Sequence, residues 1–381
     1  MKKVCFVATV PTAINAFMAP HIIKIAATFD VTIVSSNNNA YLLNDLPSVF
    51  IPLEIKRKIS LFRDVKILLS LIQLFTNNKF DVVHSITPKA GLLAMFAAYI
   101  CRVPVRIHTF TGQVWATKKG ISRYFLKVMD RLIVFFSTKI LVDSPSQLSF
   151  IEQENILKPN LGVVLGCGSV CGVNTLKFSP NLEVKLEIRR QLGINPNDLV
   201  ILFMGRLNTQ KGILKLAEAF NSIAGKHKNV HLLIVGQEED VLFSKIEDIC
   251  RVNSNKLHYI NFTQVPESYM ATSDIFCLPS LREGFGQVII ESASAGIPSV
   301  ASNIYGISDA IENDVTGILF DLSNFNSLVK SLESLICNKD LRESMGSLAR
   351  QRAINQFDEN IITSAFLYFY QKQILSTHSL H

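Results

Sequence analysis

The sequence predicts an α/β protein built from two doubly wound domains in series. Two observations carry this. Short apolar strands alternate with helical segments along the whole chain, the pattern of parallel βαβ units. At 381 residues, the chain is also too long for one hydrophobic core. A composition of 48% hydrophobic and 18% charged residues belongs to a globular protein. No apolar run reaches the roughly 18 residues that span a bilayer; the longest, Gly91 to Cys101, is alanine-rich.

Strands are expected at 3–10, 31–35, 48–52, 81–85, 105–109, 139–143 and 162–165, then at 199–205, 230–236, 257–261, 274–278, 298–301 and 316–320. The first begins after Lys2-Lys3 and imitates a secretory leader. Pro11, Asn15 and the missing small-residue cleavage site argue for a strand instead. A helix opens at Ala19-Pro20, proline suiting a first turn. Others are expected at 60–77, 89–101, 120–136 and 144–153, then at 211–226, 240–251, 266–272 and 287–295. Helices at 324–337, 339–353 and 358–375 close the chain. The expected division is an amino-terminal domain 1–178, a carboxyl-terminal domain 179–357, and a terminal helix, 358–381, returning to the first domain. Without a low-complexity linker, the domains are expected to face each other across a cleft, with ligands at the carboxyl ends of the strands.

Charge is unevenly placed. Residues 1–180 carry net +11 and the rest net −4, within a total of +7. A basic first half points to a polyanionic partner, membrane or nucleic acid. The segment Lys56 to Leu69 joins a basic cluster to aliphatic residues at helical spacing. It reads equally as an interfacial helix or as a sheet-packed helix with a solvated face. The loop Thr111 to Gly120, with the single Trp115 and Lys118-Lys119, could also meet headgroups. No zinc-finger, RNP-type or helix-turn-helix pattern supports nucleic acid. The seven cysteines include no Cys-x-x-Cys pair: Cys5, Cys101, Cys250, Cys277 and Cys337 read as core thiols, Cys167 and Cys171 as loop thiols.

The chemistry concentrates in Arg282-Glu283-Gly284-Phe285-Gly286-Gln287-Val288-Ile289-Ile290-Glu291. A buried strand ends at Pro279-Ser280, a glycine-relieved loop follows, and a helix opens near Gln287. Backbone amides at a helix start make an anion site suited to phosphate. Glu283 and Glu291 would repel a phosphate and suit sugar hydroxyls, for which a carboxylate is a bidentate acceptor. Alone, the pair reads first as an ordinary acidic first turn. Upstream, the strand 199–204 ends in Gly205-Arg206 and continues through Lys211-Gly212 into a helix. Gly205 permits close backbone approach, and a guanidinium with an ammonium suits diphosphate oxygens.

This set resembles the family-four retaining glycosyltransferases of the GT-B fold. The matching stretches are Gly205-Arg206, Lys211-Gly212, Val235-Gly236, Asp274 to Ser280, Glu283-x7-Glu291, Ala295-Gly296-Ile297-Pro298 and Thr316-Gly317. A weaker match, Gly172 to Phe178, carries Asn174 and Cys171 where the family has Asp and Asn. The resemblance implies two Rossmann-like domains and a nucleotide-diphospho-sugar donor, with neither cofactor nor metal. It implies that Arg206 and Lys211 stabilise the departing diphosphate and that Glu283 binds the donor sugar. Glu291 would bind the ribose diol, and backbone from Gly284 through Phe285, Gly286 and Gln287 to Val288 would contact sugar and phosphates. Retention would follow front-face attack, the leaving phosphate helping to deprotonate the acceptor. The family's Thr-x-His-Gly run departs here: Thr111 takes the histidine position, and His108 sits three residues earlier as a cleft or structural histidine.

Asn15, after the first strand, is equally a candidate for acceptor or phosphate contact and an ordinary turn former, and Lys89, after His84 to Pro88, is a candidate for meeting an anionic acceptor. The resemblance implies transfer of a sugar, preferably an N-acetylhexosamine from UDP, to a lipid-diphosphate-linked saccharide in surface polysaccharide assembly. The place implied is cytoplasmic, peripheral on the inner face of the plasma membrane. The alternatives are a GDP-sugar donor, a same-fold epimerase and a non-catalytic polyanion binder. The epimerase would need acid/base groups that the amino-terminal loops supply sparsely.

Overall fold

The computed structural model describes residues 1–56 and 60–378. Thirteen strands occur among them: β1 Lys2–Val7, β2 Phe29–Ser35, β3 Val49–Pro52, β4 Val82–Ser85, β5 Val105–Phe110, β6 Lys139–Val142, β7 Gly162–Val163, β8 Leu199–Met204, β9 Val230–Val235, β10 Leu257–Ile260, β11 Ile275–Leu278, β12 Ser299–Ser302 and β13 Gly317–Phe320. They form two sheets, β3-β2-β1-β4-β5-β6-β7 and β10-β9-β8-β11-β12-β13. Paired strands run parallel, for example β1 with β4 and β8 with β11. In each sheet the winding direction reverses once, between β1 and β4 and between β8 and β11. Ligands of doubly wound sheets bind at that crevice.

The chain divides into one compact unit of Met1–Cys171 with the residues from Glu359 onward, and a second of Gly172–Asp358. In the first unit, helices Leu61–Asn78, Pro88–Ile100 and Gly120–Phe136 pack side by side over one face of the sheet. The middle helix packs closely between its neighbours because its contact residues are small: Ala90, Ala94, Ala97 and Ala98 are all buried. The other face carries helices Pro11–Phe17, Ala19–Ile25 and Glu359–His378. Phe366, Phe369 and Tyr370 of the last helix join Phe6, Ile22 and Ile25 in one core. In the second unit, a single apolar cluster covers both faces, from Val200–Phe203 to Leu332 and Phe357.

Several local expectations change. The first strand stops at Val7, and Pro11 starts a helical turn, so the expected loop around Asn15 is the helix Pro11–Phe17. The final-domain helix runs on to Phe357, whose ring packs edge-on against Phe285 at 5.3 Å. Trp115 is buried rather than offered to headgroups. Its Nε1 donates to Asp130 at 2.7 Å, and Arg123 and Lys127 lie 5.6 and 5.5 Å from its ring. Cys337 is exposed, not a core thiol, and Cys171 is buried. Of the basic cluster, Arg57, Lys58 and Ile59 lie outside the described residues. The helix that follows buries Ile67, Leu71 and Phe75 and exposes Leu61, Phe62, Val65 and Leu69, so it is sheet-packed with a partly apolar outer face.

Candidate functional site

The switch point of the second unit brings together two loops. After β8, Asn208 caps a turn at Thr209–Lys211 by accepting from the Lys211 amide at 3.1 Å. Gly212 then turns at φ 70° into helix Ile213–Lys226. A Cβ there would lie 2.0 Å from the Pro279 carbonyl oxygen, so only glycine lets the two loops touch. The Leu281 amide donates to the Gln210 carbonyl at 2.8 Å, completing the backbone seam.

Side chains close the same gap. Lys211 Nζ lies 2.6 Å from Glu283 Oε1, and Ser280 Oγ donates to that oxygen at 2.7 Å. Both partners of the ion pair are mostly buried, so their attraction is little screened. Glu283 Oε2 is left for another donor, such as a sugar hydroxyl. Gly286, at φ 78°, then caps the start of helix Gln287–Ser294. The Phe285 side chain is core, which leaves its backbone as the part that could meet a ligand. Gln287 Nε2 donates to the Gly172 carbonyl at 2.5 Å, tying the helix start to the Gly172–Phe178 stretch. In that stretch Asn174 caps a turn by accepting from the Lys177 amide at 2.9 Å.

Glu291 sits one turn into the helix. Burial pushes its carboxyl up to about 7, while nearby Lys177 pulls it down and Glu267 pushes it further up. Lys177 and Glu267 themselves approach to 3.5 Å. A carboxyl that titrates near neutrality can accept or donate, which suits a diol. Arg206 follows Gly205 at the end of β8, exposed, its Nη1 donating to Glu239 Oε1. Ser280, Asn208, Glu239, Lys177 and Glu267 were not singled out from sequence. Of these, only Ser280, next to the strand end, carried a readable signal.

In the first unit the candidates do not converge. His108, expected as a cleft or structural histidine, is buried in the core of the first unit. Its side of β5 faces helix Pro88–Ile100, where a Cβ on Gly91 would lie 2.4 Å from the imidazole Cε1. Nδ1 is 2.8 Å from Ser85 Oγ, and burial lowers the pKa to about 3, so the ring is neutral. Lys89 pairs with Asp64 at 2.7 Å. Asn15 is exposed beyond the carboxyl end of β1, and Thr111 follows β5 half-buried.

Two doubly wound sheets in one chain, the second with an arginine and a lysine on the loop at its switch point, define the class of GT-B glycosyltransferases. Residues 184–352 match the model described as glycosyl transferases group 1, and 3–144 the model described as glycosyl transferase 4-like. The capsular polysaccharide biosynthesis glycosyltransferase CapM of Staphylococcus aureus is 35% identical over 334 residues, 87% of each chain. The UDP-Gal:alpha-D-GlcNAc-diphosphoundecaprenol alpha-1,3-galactosyltransferase of Escherichia coli is 28% identical over 87% of this chain and 86% of its own. Anabaena Alr3699/HepE, solved with UDP and glucose, shares the fold at TM-score 0.80 and 18% identity, covering 98% of this chain and 100% of its own. The chain belongs to the family-four glycosyltransferases of the GT-B fold.

Proposed function

We propose that this glycosyltransferase acts with retention and without a metal, moving a sugar from a UDP donor to a lipid-diphosphate-linked saccharide in capsule or O-antigen synthesis. The observation that carries the donor site is the Lys211–Glu283 pair across the β8/β11 switch point, with Ser280 fixing the carboxylate. Lys211 and Arg206 would carry the charge that develops on the departing diphosphate. Glu283 Oε2 would receive a hydroxyl of the sugar, N-acetylhexosamine being our preferred donor sugar, and Glu291 the ribose diol. The acceptor class is supported by the Escherichia coli relative, whose name specifies a diphosphoundecaprenol substrate. The test is UDP release from UDP-sugars supplied with undecaprenyl-diphosphate-linked monosaccharides. Turnover that falls at least a hundredfold in Glu283→Ala supports the site; wild-type turnover in that variant overturns it.

The same reading places the enzyme on the inner face of the plasma membrane. Among the described residues no helix is long and apolar enough to cross a membrane. Two helices of one layer nevertheless expose apolar side chains beside basic ones: Phe62 (93% exposed), Val65 and Leu69 near Arg63 and Lys66, and Ile121 (88%) and Tyr124 near Lys118 and Lys119. Apolar side chains interleaved with exposed cations match an anionic lipid surface. Sedimentation with phosphatidylglycerol vesicles should fall in Phe62→Asp/Ile121→Asp. Unchanged binding by that variant would refute this surface.

A further inference from the structure

Glu239 has no part in the reaction outlined above, yet it holds one of its cations. Residues 237–240 follow β9 and run beside the loop after β8. Leu207 and Glu238 form a parallel bridge, the Leu207 amide donates to Gln237 O at 2.8 Å, and the amides of Glu239 and Asp240 donate to Leu207 O at 3.0 and 3.1 Å. Three consecutive acids then take separate partners. Glu238 accepts from the Leu242 and Phe243 amides, and Asp240 accepts from the Thr209 amide and hydroxyl at 2.9 and 3.1 Å. Glu239 takes Arg206 on Oε1 and the Asn208 side-chain amide on Oε2 at 2.7 Å.

We propose that Glu239 is an internal counterion of Arg206, occupying the guanidinium while the donor site is empty and displaced by the donor's diphosphate. This rests on the assignment of Arg206 to the diphosphate. A diphosphate brings at least two negative charges and several acceptor oxygens to a fork that a carboxylate fills with one charge. Both side chains are substantially exposed, at 56% and 38%, so their mutual attraction is weak and exchange is easy. The backbone beneath them is stitched together, so exchange needs only side-chain rotation. Glu239 competes with the diphosphate for the same guanidinium, so donor binding must first break the ion pair. It therefore holds donor and product affinity down and favours release of UDP. Glu239 is a positioning residue that acts through Arg206.

The test is UDP titration by calorimetry at low and high salt on wild type, Glu239→Gln, Arg206→Ala and the double variant. Glutamine keeps the bond to Asn208 and removes the charge. The expected result is about fivefold tighter UDP binding by Glu239→Gln at low salt, the upper range for an exposed ion pair, with a smaller gain at high salt. In the Arg206→Ala background the same substitution should change nothing. Unchanged or weaker UDP binding by Glu239→Gln would overturn the counterion role. An equal gain with and without Arg206 would overturn it too, by showing a general field effect. If Arg206→Ala alone binds UDP like wild type, the underlying diphosphate assignment fails instead.

Discussion

Lys211 and Glu283, 72 residues apart in sequence, meet at 2.6 Å above the point where the second sheet reverses its winding. Each side chain is more than three-quarters covered, so removing either leaves a charge with little water to solvate it. Lys211→Ala and Glu283→Ala should each lower the unfolding free energy by about 1–3 kcal/mol, and Lys211→Ala/Glu283→Ala by less than the sum. Denaturant melts of the four proteins measure this. Additive losses would mean that the pair contributes no coupling.

The backbone seam beneath the pair predicts a second effect. Gly212→Ala puts a methyl on the Pro279 carbonyl at a positive φ, so one loop must move. We expect a loss of at least about 2 kcal/mol in stability, together with weaker UDP binding. Alanine at Gly225, where a Cβ meets nothing within 4 Å, should leave UDP binding unchanged and raise stability through helix propensity.

Buried histidines should make the first unit sensitive to acid. Burial lowers His21 to about 4 and His108 to about 3, and places His84 well below its usual value. The unfolded chain takes up these protons near pH 6.5 while the folded chain does not. Their contribution to stability is therefore complete above pH 6.5 and declines as pH falls toward 4 and below. Each group steepens the loss by about 1.4 kcal/mol per pH unit at most. His21→Phe, stacked as His21 now is on Phe366 at 4.0 Å, should shift the acid midpoint of unfolding downward. A midpoint that does not move would exclude His21 as a contributor.

Glu291 works in the opposite direction. Its folded pKa, about 7, lies above the unfolded value near 4.5, so the stability it contributes is whole below pH 4.5 and is lost as pH rises through 7. At pH 8, Glu291→Gln should melt higher than wild type, by about 1–3 kcal/mol of stability, and the two should converge at pH 5. A UDP ligand that uses the ribose diol should bind the variant more weakly. An equal affinity would remove Glu291 from the diol site.

The carboxyl-terminal helix is held by polar as well as apolar contacts. Tyr370 OH lies 2.5 Å from His84 Nδ1, and His84 Nε2 lies 2.7 Å from Thr109 Oγ1. Tyr370→Phe would leave a buried imidazole nitrogen without a partner, a loss of about 1–3 kcal/mol. Truncation after Asp358 would uncover Phe6, Ile22 and Ile25 as well, and should unfold the first unit, read by loss of its cooperative melting transition.

The order of strands and helices was legible because burial on both faces makes each parallel strand a continuous apolar run, as in Leu199–Met204 and Ile275–Leu278. Proline or glycine marked several helix starts, as at Pro88, Pro145 and Pro266. Arg206, Lys211, Glu283 and Glu291 stood out because their residue types and spacing are chemically demanding. The helix around Asn15 was missed because a strand end and a proline read equally well as a loop. Local pattern left Trp115 open to headgroups and His108 undecided between cleft and core. Trp115 is buried by Asp130 from the next helix, and His108 by the space that Gly91 leaves opposite it, and neither depends on its own neighbours in sequence. The sequence by itself determined the alternating elements, the two-sheet plan and the chemical content of the donor loops, because those depend on periodicity and residue type. Only the tertiary structure decided that Lys211 meets Glu283, that Glu239 holds Arg206 and that Glu291 titrates near neutrality. Charge pairing and desolvation depend on which distant segments lie within a few ångströms, and chain order does not state that distance.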